Sequence, residues 1–347
     1  MVVCWPDRRQ RRGPAVQTNA GVVAAGHPVT AQAAATILEA GGNAFDAAVA
    51  ALLASCVAEP VLASLAGGGF LLALPAGGEP VVYDFFAHTP RRRRPEPELD
   101  FYPILADFGS AQQEFHIGLG SVATPGTVRG LFRIHRELCR LPMAQIATPA
   151  LRAAREGIRL NGFQHYISSI VAPILHTTPE ALALHQSADH PEGLAAVGEL
   201  VRQPGMADSL DNLLTEGEDL LYRGEMGQAL VRACREGGGH LSMADLEHYQ
   251  VHCRAPLSLS HGDARLLTNP APSQGGTLIA IALQLLADQA LARDGFGSER
   301  HLLLLARSMR LTQSLRSESG PEAEAADLLD EALLQAYRRS LREHPGS

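Results

Sequence analysis

The sequence contains no lysine; all 29 of its basic residues are arginine. Without a side-chain amine the chain cannot form an imine, so Schiff-base and pyridoxal-phosphate chemistry carried by its own residues are excluded. A phosphate-binding loop closed by lysine is excluded with them. Positive charge is in short supply overall: the formal net charge of −8 argues against a general nucleic-acid-binding protein. Cysteine is sparse as well. Cys4, Cys56, Cys139, Cys234 and Cys253 are odd in number and widely spaced, with no C-x-x-C pair, so neither a structural zinc site nor a disulfide framework is expected and a reducing compartment fits. No G-x-S-x-G occurs, which leaves an α/β-hydrolase serine without its elbow. The opening residues MVVCWPDRRQRRGPAVQTN carry charge but no apolar stretch of the kind a secretory signal needs. A cytoplasmic location is therefore expected, or a periplasmic or secreted one if the N-terminus is incomplete. Residues 1–20 read as a flexible arm.

What is present is a globular composition, 46% hydrophobic over 347 residues, and one organising stretch between Gly41 and Pro90. Asn43 and Asp46 form an N-x-x-D pair that predicts a capped helix start. From Ala44 to Val57 only Asp46 and Ser55 interrupt an apolar run, so this helix has no solvent face and belongs in a core. At about 14 residues it is too short for a bilayer, which takes ~20, and Pro60 stops it. Three glycines, Gly67 to Gly69, follow as a sharp turn or close approach. Phe70 to Leu74 and Pro80 to Phe85 then read as buried strands joined by residues 76–79.

Along the rest of the chain, Val22 to Ala25 is a strand candidate, and Thr30 is placed to cap a helix running to Ala40. Residues 91–113, with four arginines and a Pro-Glu alternation, predict a polar surface loop. Thr124-Pro125 predicts the start of a helix to Leu138, and a second helix is expected from Pro142 to Glu156. Residues 160–215 are helix-rich. Ser242 and Asp245 form a capping box, Leu257 to Leu267 reads as one or two strands, and helices are expected over 277–292 and 299–343. No repeat or linker is evident, so residues 21–347 read as one domain.

Three short patterns have a plainer explanation beside the chemical one. Gly118-x-Gly120-x-x-Ala123 fits a dinucleotide fingerprint on paper, but Thr-Pro-Gly follows where a helix should open on the phosphates. A loop before a capped helix explains it. His248 and His252, with Cys253 beside them, have metal-ligand spacing on a helix, yet they lack the glutamate of H-E-x-x-H and Pro256 is close. They read as a solvated helix end. Arg91 to Arg94 could grip a carboxylate bidentately, against the simpler reading of an exposed charge run.

The blocks GGNAFDAAVA, VAEP and LAGGGF, and then a strand ending in Asp-x-x-x-x-x-Pro, resemble the large subunit of the γ-glutamyltransferases. The resemblance continues through SVATPGTVRGL, PALRAAREGI, LYRGEMGQALV, GGGHLSMADLEHY and PAPSQGGTLIAIALQLL, covering roughly 320 residues in one order. It implies an α/β (α+β) fold, the αββα sandwich of the N-terminal-nucleophile (Ntn) hydrolases, with this chain supplying the large-subunit part. It implies cleavage or transfer of a γ-glutamyl group, from an amide such as glutathione to water or an amino acid, and no metal or organic cofactor. The nucleophile of that family is the N-terminal threonine of a small subunit cut from the same precursor, so no catalytic nucleophile is expected in this chain. Ser347 is then expected to be the processing position, with threonine following it.

At one place the sequence departs from the family pattern. The family's D-x-R-E-x-A-P run, whose arginine holds the substrate α-carboxylate, matches Asp84 to Pro90, where Phe86 stands at the arginine position and Ala87 at the glutamate. A phenyl ring makes no charge-assisted bond, and losing one costs about 1.5–3 kcal/mol. Either His88 or Arg91 takes over, or the acyl group is not glutamate. The alternatives are thus an amidase or acylase of altered acyl specificity, and a non-catalytic scaffold homologue.

Overall fold

A computed structural model of the chain describes residues 2–4, 21–289, 291–319 and 328–343. Most of the N-terminal arm, and Ser347 with its neighbours, lie outside the described residues. Strand β1 (Val2–Cys4) pairs antiparallel with a strand near the far end of the sequence. Val22 to Ala25, expected as a strand, has no regular structure and Val22 is 98% exposed; a short apolar run becomes a strand only where a neighbour completes its ladder.

Helix α1 (Pro28–Glu39) starts two residues before the expected cap. Pro28 is pre-set for the first helical position, and His27 caps it by accepting from Val29 N at 3.1 Å. Thr30 is instead buried, its hydroxyl donating to Glu59 Oε2 at 3.0 Å. Helix α2 (Ala44–Ala58) begins as the sequence indicates: Asn43 Oδ1 accepts from Phe45 N and Asp46 N, and Asp46 Oδ2 accepts from Asn43 N. Its alanines let other helices approach closely, and nine of its residues are buried.

Strands β2 (Gly69–Ala73) and β3 (Val81–Phe85) follow as neighbours in one sheet. The expected loop at 91–113 holds more than a loop. It ends in a hairpin, β4 (Tyr102–Asp107) against β5 (Gln112–Ile117), with Tyr102 opposite Ile117. Ile104, Ala106, Phe115 and Ile117 lie on its more buried face, but β4 carries apolar residues on both faces and shows no clean alternation. Helix α3 (Thr127–Leu138) has its N-cap at Gly126 rather than Thr124. Helix α4 (Met143–Glu156) ends at Gly157, φ 92°. The helix-rich stretch resolves into β6 (Ile158–Arg159), α5 (Gly162–Ile170), α6 (Ala172–Leu175), α7 (Pro179–His185), β7 (Leu200–Val201) and α8 (Pro204–Glu216). Then come α9 (Asp219–Tyr222), α10 (Glu225–Glu236) and α11 (Met243–Glu247), the last opened by the Ser242–Asp245 capping box. Strands β8 (His252–Arg254), β9 (Leu257–His261) and β10 (Ala264–Thr268) precede α12 (Gln274–Leu286), α13 (Leu291–Asp294), α14 (Glu299–Ser319) and α15 (Glu331–Glu343).

These elements form two compact units. The larger, residues 21–69 and 84–251 as far as described, packs α2 against α1, α3 and α4, with α8 on α4. Ala50, Ala54, Ile146 and Ala150 sit at its centre, fully buried. The other unit holds the sheet β2-β3-β8 and the antiparallel sheet β1-β10-β9. Within it α12 lies on β9 and packs with α14 and α15 around Ile281, Leu285, Leu315, Leu334 and Leu341. No helix among the described residues is long and apolar enough to cross a membrane.

Candidate functional site

The run leaving β3 is where the larger unit gathers the sequence motifs. Asp84 and Phe85 are buried, while Phe86 turns outward and is 54% exposed. The turn is held by Asp84 Oδ1, which accepts from Phe86 N at 3.2 Å, the local side-chain-to-backbone bond that aspartate makes readily. Behind it lies the glycine turn. A Cβ on Gly68 would stand 2.3 Å from Ala87 N, so only glycine lets this backbone touch the 85–87 segment. Gly67 O accepts from Gly126 N (2.8 Å) and Thr127 N (3.1 Å), which satisfies the first amides of α3. This explains why Thr124 is no cap. It is buried and exchanges two backbone hydrogen bonds with His88, at 3.1 and 2.7 Å. Gly67–Gly69, Asp84–Pro90 and Thr124–Thr127 are therefore one interlocked backbone cluster.

Two tyrosines and an arginine lock it from behind. Tyr249 donates its hydroxyl to Phe86 O at 2.9 Å and lays its ring on that of His88, 4.8 Å between centroids. Tyr222 stacks on Tyr249 at 5.8 Å and donates to Pro125 O at 2.9 Å. Arg129 on α3 places its guanidinium 3.9 Å from the Tyr222 ring centre and donates from Nη1 to Tyr249 O at 2.8 Å. Burial pushes both phenols above their ordinary pKa, so they stay protonated donors.

Of the three residues expected to bind substrate, Phe86 and His88 are brought together on Tyr249, one through its carbonyl and the other through its ring. Arg91 is tied through its backbone, whose N–H donates to Asp245 Oδ1 at 2.8 Å, and its side chain lies on the exposed surface. Burial would raise the Asp245 carboxyl, but hydrogen bonds from Ser242 and from Arg91 N outweigh it and hold the group below the usual carboxylate range. Arg94 is a structural pin rather than part of an exposed charge run. Its N–H donates to His240 Nδ1 at 2.9 Å and its Nη1 to Arg235 O, in the last turn of α10, at 2.7 Å.

The expected solvated helix end holds for His248 alone. His248 ends α11 and binds Ala244 O, while His252 lies in β8, so the two share no helix face. Among the described residues no group of three His, Cys, Asp or Glu side chains could hold a metal ion. Gly118 caps a 3-10 turn, Leu119–Ser121, that contains Gly120 and is separate from α3. Cys56 is a buried small hydrophobe whose thiol burial pushes up to about 12. An apolar cleft at the C-terminal end of α2 has polar groups on its floor, but these serve the fold: Gln203 donates to Val57 O at 2.8 Å and Gln164 to Ala58 O.

Sequence reasoning missed Tyr249, Tyr222 and Arg129. The one available signal was that a buried tyrosine hydroxyl needs a partner, and nothing local names a partner 163 positions away.

A mixed helix-and-strand chain of this kind, with an apolar capped helix and a glycine turn locked to the strand end beside it, has the fold of the Ntn hydrolases. It aligns with γ-glutamyltranspeptidase from Helicobacter pylori at a TM-score of 0.82 and 22% identity, covering 96% of this chain and all of that one. It aligns also with γ-glutamyltranspeptidase from Pseudomonas nitroreducens, complexed with L-DON, at a TM-score of 0.79 and 26% identity, covering 95% and 97%. The family model described as γ-glutamyltranspeptidase matches residues 30–345, and the chain belongs to that family. Among curated relatives, the acylase ACY 1 proenzyme of Pseudomonas sp. strain V22 is 33% identical over 306 residues, 84% of this chain and 52% of that protein. The glutathione hydrolase proenzyme of Pseudomonas aeruginosa is 31% identical over 296 residues, 84% and 50%. The chain thus spans about half the length of the curated relatives it matches.

Proposed function

We propose that this chain is the large-subunit half of an Ntn amidase that transfers an acyl group of the γ-glutamyl type from an amide to water or an amino acid. The second half, released from the same precursor, supplies an N-terminal threonine. Its hydroxyl attacks the amide carbonyl and its own α-amine takes the proton; the C–N bond then breaks as that proton passes to the departing amine, leaving an acyl-enzyme ester that water or an acceptor amine cleaves to free the threonine hydroxyl. The observation that carries this reading is the match along residues 30–345 to a family whose curated relatives are proenzymes about twice as long. In it, the present chain contributes one wall of the acyl pocket, centred on the Asp84–Pro90 run.

Phe86 favours a second reading of the substrate. Its ring is 54% exposed on a segment whose backbone is bonded to Asp84 and Tyr249, and an apolar surface there suits an acyl chain without a charged α-carboxylate. The relative of 33% identity is named an acylase, in keeping with this. The test is to co-express the chain with its small subunit and compare kcat/KM for glutathione with that for a glutaryl amide. Turnover of glutathione at least equal to that of the glutaryl amide supports the glutamyl reading and rejects the altered one. A new N-terminal threonine on the second polypeptide is expected, and its replacement by alanine should abolish turnover. A pair that cleaves neither amide would leave only a scaffold role.

A further inference from the structure

The geometry points to Tyr249 as the positioning residue that sets acyl-chain recognition in this chain, by holding the Phe86 carbonyl and so aiming the Phe86 ring. This rests on the reading that the Asp84–Pro90 run forms a wall of the acyl pocket. Four observations converge on it. Phe86 is the one side chain of the 84–86 turn that faces outward. The peptide that carries it is bonded on its N–H side to Asp84 and at its carbonyl to the Tyr249 hydroxyl. That hydroxyl is not loosely placed. The Tyr249 ring is wedged between His88 and Tyr222, and its own carbonyl is held by Arg129. Finally, Gly68 allows the 85–87 backbone to rest on the glycine turn, which adds a backbone contact to the two hydrogen bonds. A side chain aimed in this way by a residue far along the sequence is preorganised, and the acyl group meets it without a cost for ordering the wall.

The variant Y249F keeps the ring and its two stacking contacts and removes only the donor to Phe86 O. Because the wall grips the acyl chain equally in the ground and transition states, its loosening raises KM and leaves kcat nearly alone. In the co-expressed two-chain enzyme, KM for the preferred acyl amide is expected to rise about tenfold, the scale of one lost hydrogen bond. Under the same conditions kcat should stay within about twofold. The rise should be smaller for a short acyl chain that does not reach the ring. Hydrogen–deuterium exchange over residues 84–90 should quicken while the rest of the chain keeps its protection. A purely structural role predicts the reverse, a lower melting temperature with KM unchanged; that result, or unchanged exchange at 84–90, overturns the assignment. Should the wild-type pair cleave no amide, the functional reading falls on its own. The exchange measurement then decides alone whether Tyr249 holds the turn.

Discussion

On the proposed reading, Phe86 is the residue on which substrate identity turns. If its ring faces the acyl group, F86R supplies a guanidinium where only a phenyl stood, and a charge-assisted contact to an α-carboxylate is worth about tenfold or more in kcat/KM. The ratio of γ-glutamyl to non-glutamyl turnover is expected to rise by that factor; an unchanged ratio would place the ring away from the acyl chain. Neighbouring Phe85 sets a limit of another kind. A Cβ on Gly130 would lie 2.3 Å from Phe85 Cγ, inside a buried pair that cannot separate without moving β3 or α3. G130A is expected to cost about 1–3 kcal/mol by overpacking, read as a lower urea midpoint at unchanged slope. Asp245 adds a pH dependence. Its folded carboxyl is held below the ordinary range, so its stabilisation is complete above the unfolded value of about 3.9 and is lost as pH falls through the lower folded value. D245N should therefore flatten the acid limb of the melting curve below about pH 4 and leave its neutral region parallel to wild type.

At the scale of elements, α2 shows what a sequence can and cannot disclose. Its start and its length followed from Asn43, Asp46 and the apolar run, because capping is local, but it is not buried on every side: Phe45, Ala48, Leu52 and Ser55 form a partly buried face. What local reading could not supply is the second duty of Asp46. Its Oδ1 also accepts from Arg140 N and Leu141 N, both at 3.0 Å, which ties the start of α2 to the turn after α3, and Asn43 Nδ2 donates to Leu138 O at 2.7 Å beside it. D46A leaves three amides without their acceptor, and at about 1 kcal/mol or more each the expected loss is about 3 kcal/mol. D46N, which keeps an acceptor oxygen, should recover part of it in the same urea titration. The misplaced start of α3 teaches the same lesson. Thr124-Pro125 has the local chemistry of a cap, but Thr124 had already been engaged by His88 and the cap came from Gly67. The β4–β5 hairpin escaped notice because β4, Tyr-Pro-Ile-Leu-Ala-Asp, carries apolar residues on both faces, although Ile104, Ala106, Phe115 and Ile117 share the more buried face. The candidate site divides along the same line. The Asp84–Pro90 run was legible from its motif, whereas the Tyr249–Tyr222–Arg129 support, more than a hundred positions away for Tyr249, was not.

For the molecule as a whole, the open question is what completes it. The chain covers about half of its curated relatives, and its sheets are small. Among the described residues the sheet β2-β3-β8 has three strands, with β2 at one end of the order. That strand reads Gly-Phe-Leu-Leu-Ala and is only partly buried along most of its length. An apolar edge strand without charges or proline to guard it is a template for pairing with another chain. If the second half of the precursor extends this sheet, the chain produced by itself should associate through the edge, and co-expression should suppress that association. Size-exclusion chromatography with light scattering, with and without the second polypeptide, checks it. A chain that alone is monomeric and melts in a single cooperative transition would show that the edge is already protected. The half-enzyme reading would then have to stand on catalysis alone. A charged guard such as L71R in β2 sharpens the outcome. If the edge is the adhesive surface, the variant should be more soluble alone yet pair poorly with its partner, since the same row of backbone groups serves both contacts.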